Sequence, residues 1–128
     1  VGGTLTGIEK RPIAYLLMAG YSSLTVATST GHDQGALAFQ ELLTPEQQKA
    51  YVVALAPLDA VHYLGQSRPA KLLFQFAKND EFVAPLDAAT SLAATPDPKD
   101  VKWYDTDHFF NAEARKDRGE WLGRVVRP

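Results

Sequence analysis

With no cysteine among its 128 residues, the chain must draw any covalent chemistry from serine, threonine, lysine, aspartate or histidine. Thiol nucleophiles, disulfides and zinc–thiolate sites are excluded. There are three histidines, at positions 32, 62 and 108. His32 precedes Asp33, and His62 lies in an apolar stretch between Val61 and Tyr63. His108 closes the cluster Asp105-Thr106-Asp107-His108. An imidazole becomes a general base when a carboxylate fixes its tautomer, and it becomes part of an acyl-transfer site when a hydroxyl lies within its reach. The candidate carboxylate is Asp80, in the polar turn Lys78-Asn79-Asp80, 28 positions before His108. Candidate hydroxyls are Ser22 and Ser23, which follow Gly20-Tyr21. Each has a plain structural alternative: Asp80 as a turn or helix cap, His108 as a loop residue beside Phe109 and Phe110, and the serines as part of a polar loop running to Thr30. The D-x-D-H cluster has no second group to complete three or four ligands, so no metal is expected.

Positioning these residues requires strands that end near them. Pro12 to Gly20 is an almost wholly apolar run and reads as a buried strand. The same shape returns over Ala70 to Ala77, and a shorter run, Val101 to Tyr104, ends in the histidine-bearing cluster. Helical patterns lie between and after them. Thr44-Pro45-Glu46-Gln47 is a capping box with proline at the first helical position, and Pro57 should interrupt that helix. A short helix through Leu58 to Leu64 should follow. Pro85 to Ala94 and Ala112 to Val126 also read as helices, with Trp103 and Trp121 as core anchors. Strands alternating with helices imply right-handed crossovers in a parallel sheet. The expected class is α/β, a three-layer α/β/α arrangement of about three parallel strands with flanking helices, and residues 1–128 form a single domain. Ligands of such sheets bind at the carboxyl ends of strands, where Ser22, Ser23, Asp80 and His108 all fall.

Three segments resemble the C-terminal half of an α/β-hydrolase of the bacterial esterase or dienelactone-hydrolase type. Val1-Gly2-Gly3 and the helical stretch after it resemble the segment just after the nucleophilic serine of a G-x-S-x-G-G elbow. Leu72 to Ala77 with Lys78-Asn79-Asp80-Glu81-Phe82-Val83 resembles the family's strand-end acid. Tyr104-Asp105-Thr106-Asp107-His108-Phe109-Phe110 resembles the segment that brings in the catalytic histidine. Leu58-Asp59 through His62-Tyr63-Leu64 is similar to the stretch before the acid-bearing strand. The order acid then histidine agrees with the family's serine, acid, histidine order. Ala77 and Asp107 stand where members often have glycine.

The resemblance implies that Asp80 orients His108 for cleavage of small carboxylic esters or related acyl compounds, with no cofactor. It also implies that the family serine lies just ahead of Val1, whose backbone N–H would then be an oxyanion donor. The nucleophile would be a surrogate (Ser22 or Ser23), a water, or a serine from a complementing N-terminal half. A first strand lacking its family neighbour is an aggregation-prone edge, so a partner is implied, either a second copy in a homodimer or the complementing half. The alternative is a non-catalytic half-hydrolase acting as a dimerising assembly module.

Composition limits the partners further. The chain has 13 basic and 15 acidic residues without a basic block, which argues against nucleic acid. No run of about 18 apolar residues suggests a membrane span, and no leader pattern opens the chain, so the expected location is the cytoplasm.

Overall fold

The computed structural model describes residues 2–127, so Val1 and the oxyanion role expected of it lie outside the described residues. The element order is α1 (Gly2–Ile8), β1 (Ala14–Met18), α2 (Leu24–Thr30), α3 (Gln34–Leu42), α4 (Pro45–Leu55), β2 (Lys71–Ala77), α5 (Pro85–Ala94), β3 (Asp100–Tyr104) and α6 (Ala112–Val126). The three strands form one sheet in the order β1-β2-β3, and both pairings are parallel. This is the expected α/β class.

Central β2 is buried along its length after Lys71, as expected of a parallel strand covered on both faces. Leu72, Phe74 and Phe76 pack on one face with Leu64 and with Ala88 of α5. On the other face Ala77 packs with Ala19, Val83, Tyr104, Phe110 and Ala114 of α6. α1 lies close to the turns after α4: a Cβ on Gly3 would fall 2.7 Å from the Ala60 Cβ, and one on Gly7 2.7 Å from the Tyr63 carbonyl oxygen.

Some elements match the sequence reading and others depart from it. The Thr44 capping box and the interruption at Pro57 are both present, with α4 ending at Leu55. The short helix expected over Leu58 to Leu64 is instead part of a series of 3-10 turns, Ala56–Leu58, Ala60–His62 and Leu64–Gln66. The stretch read as a polar loop contains α2, because its hydroxyls are satisfied within the helix: Thr28 donates to Leu24 O (2.9 Å), Ser29 to Thr25 O (2.7 Å) and Thr30 to Val26 O (2.9 Å). Trp121 is buried, but Trp103 is 42% exposed at the sheet's outer edge.

The α6 face contains a polar network. Gln75, fully buried on β2, donates to the Tyr104 hydroxyl and to Ala114 O (both 2.9 Å) and accepts from Arg118 Nε (3.1 Å). Tyr104 donates to Asp117 Oδ2 (3.0 Å), which also takes Lys102 Nζ (2.7 Å). Burial, reinforced by the bond to Asp117, pushes the Tyr104 phenol up to about 12. Because the raised value favours the protonated hydroxyl in the fold, its contribution is intact below the ordinary value of 10 and is lost as pH rises towards 12. Tyr104→Phe should therefore lower stability by about 1–2 kcal/mol at pH 7, with a gap that narrows above pH 10, as measured by urea unfolding.

Candidate active site

Parallel register brings two strand ends together. Ala77 pairs with Tyr104, and beyond it Lys78 N donates to Tyr104 O (2.9 Å) and Asn79 N to Thr106 O (3.1 Å). Asn79 Nδ2 adds a bond to Asp105 Oδ1 (3.0 Å). Asp80 and His108 thus leave the same edge side by side, and His108 Nδ1 lies 3.0 Å from each Asp80 carboxylate oxygen. The Asp80 side chain is 3% exposed and the His108 side chain 31%. The structural and functional alternatives for Asp80 coincide, because Oδ1 also accepts from the backbone N–H groups of Phe82 and Val83 (2.9 Å each). Two phenyl rings stand edge-on to the imidazole, Phe82 at 4.9 Å and Phe109 at 5.9 Å between centroids. Nδ1 faces the carboxylate, and Nε2 has no protein partner among the described residues.

Ser22 and Ser23 emerge at the same edge but bond elsewhere. Ser22 is buried, and its hydroxyl and N–H both donate to Asp87 Oδ1, at 2.5 and 3.0 Å. Ser23 caps α2 and donates to Asp59 Oδ2 (2.6 Å). Neither hydroxyl is bonded to His108. The sequence reading missed both carboxylates as partners of these serines; the only hint was Asp59 within the family-like phrase.

Asp59 also accepts from Leu24 N (2.8 Å), Thr25 N (3.3 Å) and Thr25 Oγ1 (2.5 Å). Burial pushes this carboxyl up, but the bonds from Ser23, Thr25 and Leu24 outweigh it and leave it below the ordinary range. Tyr21, packed against the α6-side core, has its phenol raised by burial and by the carboxylates of Asp33, Asp80 and Asp87.

The D-x-D-H cluster does not converge: Asp105 faces Asn79, and Asp107 Oδ1 accepts from Phe109 N (3.0 Å). No group of three metal-ligating side chains occurs among the described residues. Asp33 caps α3, and neither His32 nor His62 has a carboxylate partner among the described residues.

Two hollows are lined in part by β1 and the residues that follow it. An apolar cavity of about 660 Å³ lies between α1 and the sheet, lined by Leu5, Leu16, Leu17, Tyr21, Leu24 and Phe74 among others. A smaller depression of about 290 Å³ lies between Met18–Ala19 and His108–Phe110, with Arg115 and Arg118. Ala19 (φ 41°) and Phe110 (φ 59°), both on its wall, hold left-handed backbone that costs a non-glycine residue about 1–2 kcal/mol.

No protein-family model matches the sequence, and no curated protein does. Among solved structures, an acetyl xylan esterase from Paenibacillus sp. R4 superposes with a TM-score of 0.78 over 96% of this chain and 42% of its own length, at 16% identity. An esterase domain of a Rhodothermus marinus protein gives a TM-score of 0.49 over 62% of this chain and 35% of its own, at 21% identity. The chain has an esterase-like α/β fold and spans less than half the length of the acetyl xylan esterase. No helix among the described residues is long and apolar enough to cross a membrane.

Because Asp59 is an acceptor held below its ordinary value of 3.8, its stabilisation is present above that pH and lost as pH falls through the lowered value. Asp59→Asn should cost about 1.5–3 kcal/mol at pH 7 in a denaturant titration, with the gap closing below pH 3.8.

Proposed function

We propose that the chain forms the acid–base half of a serine-type hydrolase of small carboxylic esters, and that residues 1–128 correspond to the C-terminal half of the esterase fold. His108 is the general base, taking the nucleophile's proton on Nε2 and returning it to the leaving alkoxide. Asp80 positions the ring through Nδ1 and stabilises the imidazolium that forms. The observation that carries this reading is the bond between His108 Nδ1 and a nearly buried Asp80, with Nε2 left for a reactant.

The nucleophile is assigned to a serine on a segment lying along the free edge of β1. Ser22 and Ser23 are disfavoured because their hydroxyls are committed to Asp87 and Asp59. The depression that runs from Met18–Ala19, at the end of β1, to His108 supports this assignment. The partial coverage of the acetyl xylan esterase agrees with an arrangement in which further strands complete the sheet.

A second reading, a homodimeric assembly module, draws on the same open edge, where Ile13 (60%) and Met18 (42%) are exposed. Native mass spectrometry and an ester assay, both on the protein as its gene encodes it, separate the two: a dimer joined at this edge without esterase activity favours assembly. In the protein as its gene encodes it, His108→Ala and Asp80→Asn should each slow hydrolysis of a short-chain chromogenic ester by about 10³–10⁴-fold. Ser22→Ala and Ser23→Ala should leave the rate within a few-fold. Equal rates in all four variants would contradict the hydrolase reading.

A further inference from the structure

Two guanidinium groups beside the imidazole have no carboxylate partner among the described residues. Arg115 and Arg118 both line the depression that contains His108, and neither is ion-paired among the described residues, although the chain has more acidic than basic side chains. The three acids of α6 do not pair with them: Asp117 is taken by Lys102 and Tyr104, Glu120 lies by Lys116, and Glu113, in the first turn, bonds to neither arginine among the described residues. Each arginine is also held in place by one nitrogen. Arg118 Nε donates to Gln75 Oε1 (3.1 Å), which Gln75's own bonds to Tyr104 and Ala114 O fix in the core. Arg115 Nη1 donates to Phe110 O (3.2 Å) on the wall of the depression. The terminal nitrogens of Arg118 and the second terminal nitrogen of Arg115 have no partner among the described residues. Preoriented, uncompensated guanidinium groups are the protein's means of gripping a planar oxyanion.

We propose that this depression binds small carboxylates and that, in the reaction, its ligand is the acid released by ester cleavage. The second part rests on the hydrolase reading. Hydrolysis breaks the acyl C–O bond and adds water across it; the alcohol leaves with one proton, and the acyl carbon leaves as a carboxylic acid that ionises to solvent at neutral pH. The neutral ester has no charge for the arginines, whereas its acid product does. The site therefore favours product over substrate, and the acid is a competitive inhibitor.

The test is a titration of the ¹⁵N-labelled 128-residue chain with sodium acetate at constant ionic strength, following the amides of Ala19, Phe109 and Phe110 and the Nε–H signals of Arg115 and Arg118. Saturable shifts are expected, with a dissociation constant in the millimolar range that rises at least about fivefold in Arg115→Gln and in Arg118→Gln. The dispersion of each variant's spectrum reports whether it folds, and Arg115→Gln, which alters an exposed side chain, decides the matter if Arg118→Gln disturbs Gln75. No saturable shift by about 0.1 M acetate, or an unchanged affinity in Arg115→Gln, overturns the site. Equal affinity for phosphate or chloride overturns the carboxylate assignment. Acetate binding by this chain, with no ester hydrolysis by the protein as its gene encodes it, counts against the hydrolase reading and leaves the site standing; hydrolysis by that protein without acetate binding counts against the site alone.

Discussion

The carboxylate of Asp80 links local structure, tertiary contact and chemistry. Its Oδ1 closes the turn after β2 by accepting two backbone N–H groups, and both oxygens lie 3.0 Å from the ring nitrogen of His108. A nearly buried carboxylate is tolerated only where such donors surround it. The turn places the acid, and the acid places the base. This depends on the parallel register of β2 and β3, since a shift of one residue would move both strand exits and invert the faces of their side chains.

The two faces of the sheet do different work. One is apolar, built on Leu72, Phe74 and Phe76 against α5 and the turns after α4, and it holds β2 in place. The other mixes an apolar cluster at the carboxyl end with a buried polar network centred on Gln75. That network joins β2, β3 and α6, so the helix after His108 is tied to the strand that precedes Asp80. The acid and the base are therefore fastened together both at the strand exits and through the core. The depression beside His108 reaches to the end of β1 and is walled by the strained residues Ala19 and Phe110.

Much of this was legible in the chain. Apolar runs ending in polar clusters located all three strands, and capping chemistry at Thr44 and proline at position 85 located two helices. Strand-end placement also singled out Asp80 and His108, which the fold brings together. Other features depended on tertiary partners. Ser22 and Ser23 read as free hydroxyls because nothing local marks Asp87, 65 positions away, or Asp59, 36 positions away, as their acceptors. α2 was hidden by serine and threonine, whose hydroxyls here bond back into their own helix. Trp103 followed the strand pattern inward, but β3 is an edge strand, so burial depends on a neighbour the pattern cannot supply.

The most direct measurement is a double-mutant cycle between Asp80→Asn and His108→Gln, read by equilibrium unfolding. The asparagine side chain in Asp80→Asn retains an oxygen for the turn, so the cycle isolates the link to the ring. The account predicts a coupling of about 1–3 kcal/mol between the two positions. Additivity to within about 0.5 kcal/mol would mean that the acid and the imidazole do not act on each other, and the account would be wrong at its centre.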